Sequence, residues 1–420
     1  MKYKIEELCE INSENISKSD DIKYIYYLDT SNLTRGTINE LQKLIVGKDK
    51  LPSRAKRKVK VNDILISTVR PNQRHYGIIR KEIENLIVST GFAVLSPNLK
   101  KVNPEYLYWY LTQDSIVNYL QSIAETSTSA YPSIKPSVIG GLEIDLPKLE
   151  EQKAIANILS TLDEKIETNN QINEKLEEMA QALFKHWFVD FEFPNENGKP
   201  YKSSGGEMVE SELGMIPKGW KIKRVGEIVN ITRGASPRPI KDYIDAIGMP
   251  WVKISDATES KSKYINETKE FIKEEGIPKS KKVSPGTLIL SNSATPGIPK
   301  IMLIEACVHD GWLVFQDYQY ITKEFLYYFL MNEREKILTL SNGSVFRNLK
   351  TDILKNYKIV VPTLELIEKA NKIFQDFNNE IERRTKEIKI LSNIRDTLLP
   401  KLMSGEIRVP LDDEVLSEKN

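Results

Sequence analysis

The chain has 420 residues, of which 40% are hydrophobic and 28% are charged, so it is long enough to form two or more domains with buried cores. Its 60 basic and 59 acidic side chains give a formal net charge of +1, which excludes nucleic-acid binding through overall charge and leaves only local basic patches. Two cysteines, a polar start (MKYKIEELCE) and no run of 18 apolar residues predict a cytoplasmic protein without a disulfide framework, signal peptide or membrane span.

Residues 1–147 are predicted to form a first globular domain of mixed α/β (α+β) type. Short apolar runs such as DILIST (63–68) have the length of strands, whereas EYLYWYLTQ (105–113) carries aromatic residues at helical spacing. Aromatic residues with this spacing pack into a core more often than they stack on nucleic-acid bases. We therefore expect a helix packed on a sheet in this domain.

Basic residues concentrate between positions 41 and 81, where 12 basic side chains face only two acidic ones. Such a stretch is more often a solvated surface than a binding site, but it includes the irregular segment STVRPNQRHYG (67–77). Arginine can read guanine edges and asparagine or glutamine adenine edges, while lysine holds phosphates. The candidate DNA-binding residues of the first domain are Arg54, Lys56, Arg57, Lys58, Lys60, Arg70, Asn72, Gln73, Arg74 and Tyr76.

A long helix is predicted over 148–190, followed by a linker over 191–215. Its apolar residues recur with alternating steps of four and three, as in a coiled coil, and polar residues occupy the middle of this seam. Pro147 suits the first helical turn.

The second half of the chain repeats the first at an offset of about 215 residues. A second globular domain is predicted over 216–361, because TKEFLYYFL (322–330) matches NPEYLYWYL (103–111) and GTLILS (286–291) matches NDILIS (62–67). Segments of the second domain resemble the basic loop in chemistry. They supply the candidate DNA-binding residues Arg233, Arg238, Lys241, Asn292 and Lys300.

A second long helix is predicted over 362–408, before a tail over 409–420. Pro362 again suits its first turn, and Pro400 is expected to kink or end it. The simplest way to bury two such seams is an antiparallel pair with internal pseudo-two-fold symmetry, although each helix could instead pack on its own domain. The predicted seam residues are Ile155, Leu159, Leu162, Ile166, Leu176, Leu183, Phe374, Phe377, Ile381, Ile388, Leu391 and Leu398.

Catalytic motifs are missing from the sequence. It contains no G-x-G, no G-x-x-x-x-G-K-[ST] and no Pro-Pro pair, and its three histidines are scattered. Cys307 and His309 are close in sequence, but two residues do not make a metal site. We therefore expect no metal or cofactor in this chain and interpret the protein as a binder.

The strings LPKLEEQKAIANILSTLDEKIE (146–167), GEMVESELGMIPKGW (206–220) and IRDTLLPKLMSGEIRV (394–409) closely resemble conserved regions of type I restriction-modification specificity subunits. The resemblance covers nearly the whole chain. The family commonly carries a Gly-Ser element before each conserved helix. NGSVFRNLK (342–350) keeps it, whereas STSAYPSIK (127–135) lacks the glycine. These two loops add Lys135, Arg347 and Lys350 to the DNA-binding candidates.

The resemblance implies two target-recognition domains that read a bipartite double-stranded DNA sequence. The conserved helices would set the spacing and dock two modification (methyltransferase) subunits, which use S-adenosylmethionine. Restriction subunits would add an ATP- and magnesium-dependent endonuclease. The resemblance also implies that an exposed face of the aromatic segment FKHWFVDFEF (184–193) serves assembly, and burial of this segment within the chain is the equal alternative. The alternatives are a self-sufficient enzyme, a non-catalytic structural adaptor and a degenerate specificity subunit.

Overall fold

A computed structural model describes residues 2–17, 20–128, 130–260, 262–340 and 348–410. Short strands dominate both halves of the chain. The strands are β1 Lys2–Lys4, β2 Cys9–Ile11, β3 Tyr24–Leu28, β4 Leu33–Thr34, β5 Thr37–Ile38, β6 Gln42–Ile45, β7 Ala55–Lys58, β8 Ile64–Ser67, β9 Tyr76–Ile78, β10 Leu86–Ser89, β11 Phe92–Pro97, β12 Glu143–Asp145, β13 Met208–Ser211, β14 Gly214–Pro217, β15 Lys221–Arg224, β16 Asn230–Arg233, β17 Ile244–Asp245, β18 Met249–Val252, β19 Tyr264–Ile265, β20 Glu270–Ile272, β21 Lys281–Val283, β22 Leu288–Ser291, β23 Pro299–Met302, β24 Ala306–Val308, β25 Trp312–Gln316 and β26 Lys358–Val361.

Two helices are much longer than the others. The 36-residue α5 measures about 54 Å at 1.5 Å per residue. Among the described residues, no helix is both long and apolar enough to cross a membrane. The helices are α1 Ile5–Leu8, α2 Pro104–Leu111, α3 Asp114–Glu125, α4 Pro136–Gly140, α5 Leu149–Phe184, α6 Val225–Ile228, α7 Ile254–Glu259, α8 Lys323–Asn332, α9 Arg334–Leu340, α10 Thr351–Asn356 and α11 Leu364–Ser404.

The chain divides into two compact units. Unit 1 comprises Met1–Ile166 together with Lys389–Asn420, and unit 2 comprises Glu167–Ile388. Each long helix is thus shared, because its two halves pack on different globular parts. The segment boundaries predicted from the sequence follow the chain and do not anticipate this division of the helices.

Unit 1 contains two four-stranded sheets with the strand orders β6-β3-β10-β7 and β2-β11-β8-β9. Only β3 and β10 pair in parallel within these sheets. A further pair, β1 with β12, closes the domain by joining its first residues to the strand that precedes α5. Leu65, Val94 and other inward residues of the strands are almost wholly buried, as apolar runs of this length predict.

Unit 2 repeats this topology with one strand added to each of the two sheets. Its two five-stranded sheets have the orders β17-β20-β18-β24-β21 and β16-β25-β22-β23-β19. Without β17 and β19, the two orders correspond to those of unit 1. The parallel pair recurs as β18 with β24, and the closing pair recurs as β15 with β26. The predicted mixed α/β class and internal repeat are therefore confirmed.

The long helices run antiparallel, as predicted. In unit 2, Arg384 Nη1 donates to Asn169 Oδ1 at 2.9 Å. Further along α5, Glu177 shares the ammonium of Lys263 with Asn378, at 3.1 and 2.8 Å. Residue numbers thus increase along α5 while those of the neighbouring α11 residues decrease, so the two helices are antiparallel. The polar residues in the middle of the seam hydrogen-bond across the pair, the role that fixes register in coiled coils.

The complementary halves of the two helices meet in unit 1. Arg395 Nη1 donates to Asp163 Oδ1 at 2.8 Å. Beyond this ion pair, Ile155 and Leu159 share the core of unit 1 with Leu399 and Leu402. The early part of α5 therefore packs with the late part of α11, which is again the antiparallel arrangement.

The predicted seam residues differ in burial. Ile155, Leu159, Phe374 and Ile381 are at most 2% exposed, while the other eight are half-buried. The reason is that helix faces also pack on the globular parts. Other positions therefore take the deepest places, among them Ala156, Ala180, Phe184, Ala370 and Leu402.

The roles predicted for three prolines need correction. Pro147 and Pro362 lie two residues before the first residues of α5 and α11, so they belong to the extended segments that lead into the helices. Pro400 does not end α11, which continues to Ser404. Its missing N–H removes one bond of the last turns, and the helix ends before Gly405, whose φ is +76°.

The aromatic segment 184–193 packs inside its own unit. Phe184, Trp187 and Phe188 are at most 8% exposed and join Phe325 in the core of unit 2. The ring centroids of Phe188 and Phe325 are 4.9 Å apart in an edge-to-face contact. Burial within the chain is thus the interpretation that the structure supports for these three aromatic side chains.

Candidate nucleic-acid interface

Strand β7 carries the densest part of the predicted basic patch and lies at the edge of its sheet. Arg54 and Lys56 are exposed, whereas Arg57 is half-buried and burial lowers the pKa of its guanidinium. The outer side of β7 is covered by residues 14–16, because Ile16 N–H donates to Lys56 O at 2.7 Å and Lys58 N–H donates to Glu14 O at 3.2 Å. Of the strand's cations, Lys56 is the one presented to solvent.

Two other cations of the patch already have acidic partners. Lys58 Nζ contacts Asp20 Oδ1 at 2.6 Å, and this hydrogen bond lowers the pKa of Asp20. Lys60 Nζ lies 3.8 Å from Glu14 Oε1, and both side chains are more than half exposed. Exposed pairs of this kind contribute little to stability and exchange readily with phosphate. Lys60 is therefore the more available of the two for DNA.

The irregular segment after β8 contains one turn of 3-10 helix, Pro71–Gln73, which is called the bulge below. Arg70 and Arg74 both adopt left-handed backbone conformations, with φ of 48° and 57°. The Arg70 guanidinium lies 5.0 Å from the ring centroid of Tyr131, an aromatic residue that is 59% exposed. Asn72 and Gln73 are exposed at the tip of the bulge. Arg70 and Tyr131 thus form a cation–π pair at the surface.

Backbone hydrogen bonds tie this bulge to two other segments. Thr68 N–H donates to Gly91 O at 2.8 Å, and Ile134 N–H donates to Thr68 O at 2.9 Å. The exposed Lys135 follows directly and precedes α4. The segments 68–74, 89–91 and 130–135 are called the loop face of unit 1 below. Arg54 adjoins it, since its carbonyl accepts from Thr90 N–H at 2.9 Å.

Unit 2 builds the same frame. Asn292 N–H donates to Gly311 O at 2.8 Å, and Leu349 N–H donates to Asn292 O at 2.8 Å. The exposed Lys350 follows directly and precedes α10, in the position that Lys135 has in unit 1. The segments 292–297, 309–311 and 348–350 form the loop face of unit 2. Two predicted lysines thus occupy equivalent exposed positions, while Arg347 lies outside the described residues.

An aspartate organises the cations of the second loop face. Arg233 Nε donates to the carbonyl oxygen of Asp310 at 2.6 Å, and Arg238 Nη2 lies 3.5 Å from Asp310 Oδ2. A hydrogen bond from Ser236 Oγ and the nearby cations lower the pKa of Asp310. Arg238 remains 76% exposed, and Lys241 nearby is also exposed.

Several predicted contacts lie in the interior and are corrected here. Tyr76, Asn292 and Lys300 are 8%, 4% and 5% exposed, so their side chains are not presented to DNA. Lys300 Nζ donates to the carbonyl oxygens of Ser260 and Ser262, and burial lowers its pKa to about 8. Polarity along the sequence suggested exposure, but Asn292 and Lys300 donate to backbone carbonyls instead.

Arg74 is only partly accessible to DNA. Its Nη1 donates to Asp114 Oδ1 at 2.7 Å, and its side chain is 21% exposed. The hydrogen bond opposes the effect of desolvation, and the pKa of Arg74 is raised. This arginine holds α3 against the bulge, so we place it at the border of the loop face.

The sequence did not predict a pocket in unit 2 or the residues that line it. Trp251 and Lys253, with His309 of the loop face, line a cavity of about 400 Å³. No motif marks these residues. Aligning the two units would have found them, because the registers Ile87–Tyr27 and Cys307–Trp251 give Trp251 the position of Tyr27. Within the described chain, no cluster of three or more His, Cys, Asp or Glu side chains could hold a metal ion.

Fold and site together define a duplicated α/β protein with an equivalent exposed loop face in each unit and a shared antiparallel helix pair. The family model for the type I restriction modification DNA specificity domain matches residues 1–178 and 217–391, most of the chain. The chain therefore belongs to this family of type I restriction-modification specificity subunits, which confirms the resemblance.

Individual relatives agree with this assignment. The chain is 29% identical over 419 residues to the type I restriction enzyme HindI specificity subunit of Haemophilus influenzae, covering 85% of this chain and 89% of that protein. It is also 29% identical over 330 residues to the MjaIX specificity subunit of Methanocaldococcus jannaschii, covering 77% and 73%. The S subunit from M. genitalium has the same fold, with a TM-score of 0.54, 19% identity and coverage of 96% and 95%.

Proposed function

We propose that this chain reads a bipartite double-stranded DNA sequence, one half-site with each loop face, for a type I restriction-modification complex. The repeated frame carries the proposal. In both units the same backbone hydrogen bonds present a short turn and an exposed lysine, Lys135 or Lys350. Phosphate contacts from such lysines fix a protein on the duplex, while side chains in the turns and bulges read base edges.

The first unit has the stronger electrostatic surface. Its exposed Arg54, Lys56 and Arg70 lie on or beside the loop face, and Asn72 and Gln73 offer amides at the tip. Amides and guanidinium groups are the side chains that pair in bidentate fashion with adenine and guanine. In the second unit, Arg233, Arg238 and Lys241 take the corresponding role.

The antiparallel helices supply the second part of the proposal. Their exposed surfaces dock two modification subunits, and restriction subunits join the same complex. S-adenosylmethionine, ATP and magnesium belong to those partners, and this chain performs no catalysis of its own in the cytoplasm. The supporting observations are the family membership and a sequence without catalytic motifs.

The decisive experiment is a base-resolution methylome of the host with and without this chain. We expect adenine methylation at one bipartite motif to disappear with the chain, which would identify both half-sites and the spacer. An unchanged methylome with the partner methyltransferase expressed would refute the proposal in favour of a degenerate subunit or a structural adaptor.

A second experiment separates DNA recognition from the alternatives. The double variant Arg54→Gln and Lys56→Gln should weaken DNA binding across all sequences and reduce its salt dependence, because both are exposed cations. An adaptor would bind its protein partners unchanged and show no DNA effect. If the purified chain alone methylated or cut DNA, the self-sufficient enzyme would be the correct interpretation.

A further inference from the structure

A recessed pocket opens beside the loop face of unit 2. Its volume is about 400 Å³, and its walls come from β18, the start of α7 and the turns around positions 293 and 309. The residues that carry the inference are Arg238, Trp251, Lys253, Ser255, Ser293 and His309.

The floor of this pocket is aromatic. Trp251 is 2% exposed and its ring centroid lies 6.1 Å from that of His309. Burial lowers the pKa of His309 and so favours its neutral form. Gly311 N–H donates to His309 Nδ1 at 2.9 Å, which leaves the proton of the neutral ring on Nε2. The pocket thus combines a nearly buried aromatic floor with a histidine ring that can donate a hydrogen bond.

Two hydroxyl groups add unused hydrogen-bonding capacity. Within the described part of the chain, the side chains of Ser255 and Ser293 have no hydrogen-bond partner, although both line the pocket. A hydroxyl can donate and accept. A ligand with both donors and acceptors along its edge would satisfy them together with His309.

The less exposed cation of the pocket, Lys253, is by contrast already paired. Lys253 Nζ forms an ion pair with Glu270, and Arg238 Nη2 lies 3.5 Å from Asp310 Oδ2. A phosphate would have to displace these carboxylates. A purely apolar ligand would leave the hydroxyls of the pocket without partners, which is costly in a recessed site. A planar, uncharged ring with a polar edge fits the whole set.

We propose that this pocket receives one nucleobase of the second half-site and determines which base is accepted there. The inference rests on the proposed function, and it adds a subsite to the loop face. Side-chain hydroxyl and ring N–H groups read base edges, and the aromatic floor shields these hydrogen bonds from water. Ser293 and His309 belong to the loop face itself, so the pocket is continuous with the surface proposed to contact DNA.

The equivalent positions of unit 1 support a role in specificity. Tyr27, Asp29 and Ser89 stand where unit 2 has Trp251, Lys253 and His309. Tyr27 OH donates to Asp29 Oδ2 at 3.2 Å, so these two groups satisfy each other. The backbone frame is shared while the side-chain chemistry differs, which is the pattern expected where two half-sites carry different bases.

The test uses the full chain reconstituted with its methyltransferase partner and the duplex identified by the methylome. Binding is measured for every single-base-pair variant of both half-sites. The pocket variants are Ser255→Ala, Ser293→Ala and His309→Gln. Ser284→Ala, an exposed serine outside the pocket, is the matched control, and Lys241→Gln is the control for an exposed cation.

We expect the pocket variants to lower discrimination about tenfold at one base pair of the second half-site, with unchanged preferences in the first. Ser284→Ala should change nothing, and Lys241→Gln should weaken all sequences equally. All three pocket variants could instead keep base preferences within twofold of wild type at every position. That result would refute the role proposed for the pocket and leave the proposed function intact. A wild-type complex without any bipartite preference would overturn both.

Discussion

The two loop faces share a backbone frame and differ in what they present. Unit 1 places exposed cations on or next to β7 and on the bulge, as Arg54, Lys56 and Arg70 show. Unit 2 instead arranges Arg233 and Arg238 around Asp310 of its own loop face. The comparison teaches that the repeat preserves strand pairing and burial, while surface side chains vary without cost to the fold.

A second comparison concerns the cations packed on the aromatic helices. In unit 1, Arg80 donates two hydrogen bonds to Glu105 at 2.7 and 2.9 Å and lies over the Tyr108 ring. In unit 2, Lys263 lies 4.2 Å from the centroid of the equivalent Tyr327. The Arg80 side chain is 34% exposed and that of Lys263 only 1%. We therefore expect the stability of unit 2 to depend more on the partner of Lys263 than the stability of unit 1 depends on the partner of Arg80.

The largest expected effect separates the two cores. Phe374→Ala should destabilise unit 2 by about 3–5 kcal/mol, because it opens a cavity at a side chain that is 1% exposed. Leu159→Ala should act similarly on unit 1, by about 2–5 kcal/mol. Hydrogen exchange resolved along the chain should show faster exchange mainly in the affected unit. Equal loss of protection in both units for either variant would contradict the division.

The next effect tests the buried lysine. Glu177→Gln should destabilise unit 2 by about 3–5 kcal/mol, because it leaves the Lys263 ammonium without its charged partner in the interior. Glu105→Gln is the matched change in unit 1 and should cost only about 1 kcal/mol, since the Arg80 pair is partly solvated. Urea unfolding gives both values. Equal costs would show that burial does not separate the two pairs.

A smaller effect depends on pH. Burial lowers the pKa of Lys300 to about 8 in the folded state, below the unfolded value of 10.5. Between these values the unfolded state binds the additional proton, so the free energy of unfolding should rise with pH, by up to about 1.4 kcal/mol per pH unit from this group. Below pH 8 the lysine is charged in both states and its full destabilising contribution is present.

Comparison with Lys300→Met isolates this contribution from that of the buried tyrosines, such as Tyr106 and Tyr108, whose pKa values burial raises. The wild type should gain stability relative to the variant between pH 8 and 10, as measured by urea unfolding at several pH values. A difference that does not change with pH would refute the assignment. DNA binding at pH 7 should be unaffected, because Lys300 is interior.

The smallest effect concerns the equivalent lysines. Lys135→Gln and Lys350→Gln should each reduce the slope of log K against log salt by about 0.9, the value for one lost phosphate contact. The double variant should lose the sum, and Lys300→Met should leave the slope unchanged. Titration of the assembled complex with its DNA at several salt concentrations provides the slopes. A change in only one of the two variants would show that the loop faces do not contact DNA equivalently.

The repeat, the mixed α/β class, the antiparallel long helices and the family could all be predicted from the sequence. These properties depend on periodic apolar residues and on strings such as IRDTLLPKLMSGEIRV, which remain visible in one dimension. The sequence also predicted the exposed cations of β7 and the bulge. Two equivalent lysines, Lys135 and Lys350, came from comparing the halves.

The sequence did not reveal which polar side chains face solvent or which residues from distant parts of the chain come into contact. Both depend on the three-dimensional packing. Lys300 and Asn292 are interior because nearby backbone carbonyls need donors, a requirement that no local pattern reveals. The pocket joins Trp251, Ser293 and His309 from separate strands and turns. Likewise, the division of each long helix between two units follows from packing. An apolar repeat predicts that a helix face is buried, but it does not identify the surface that covers that face.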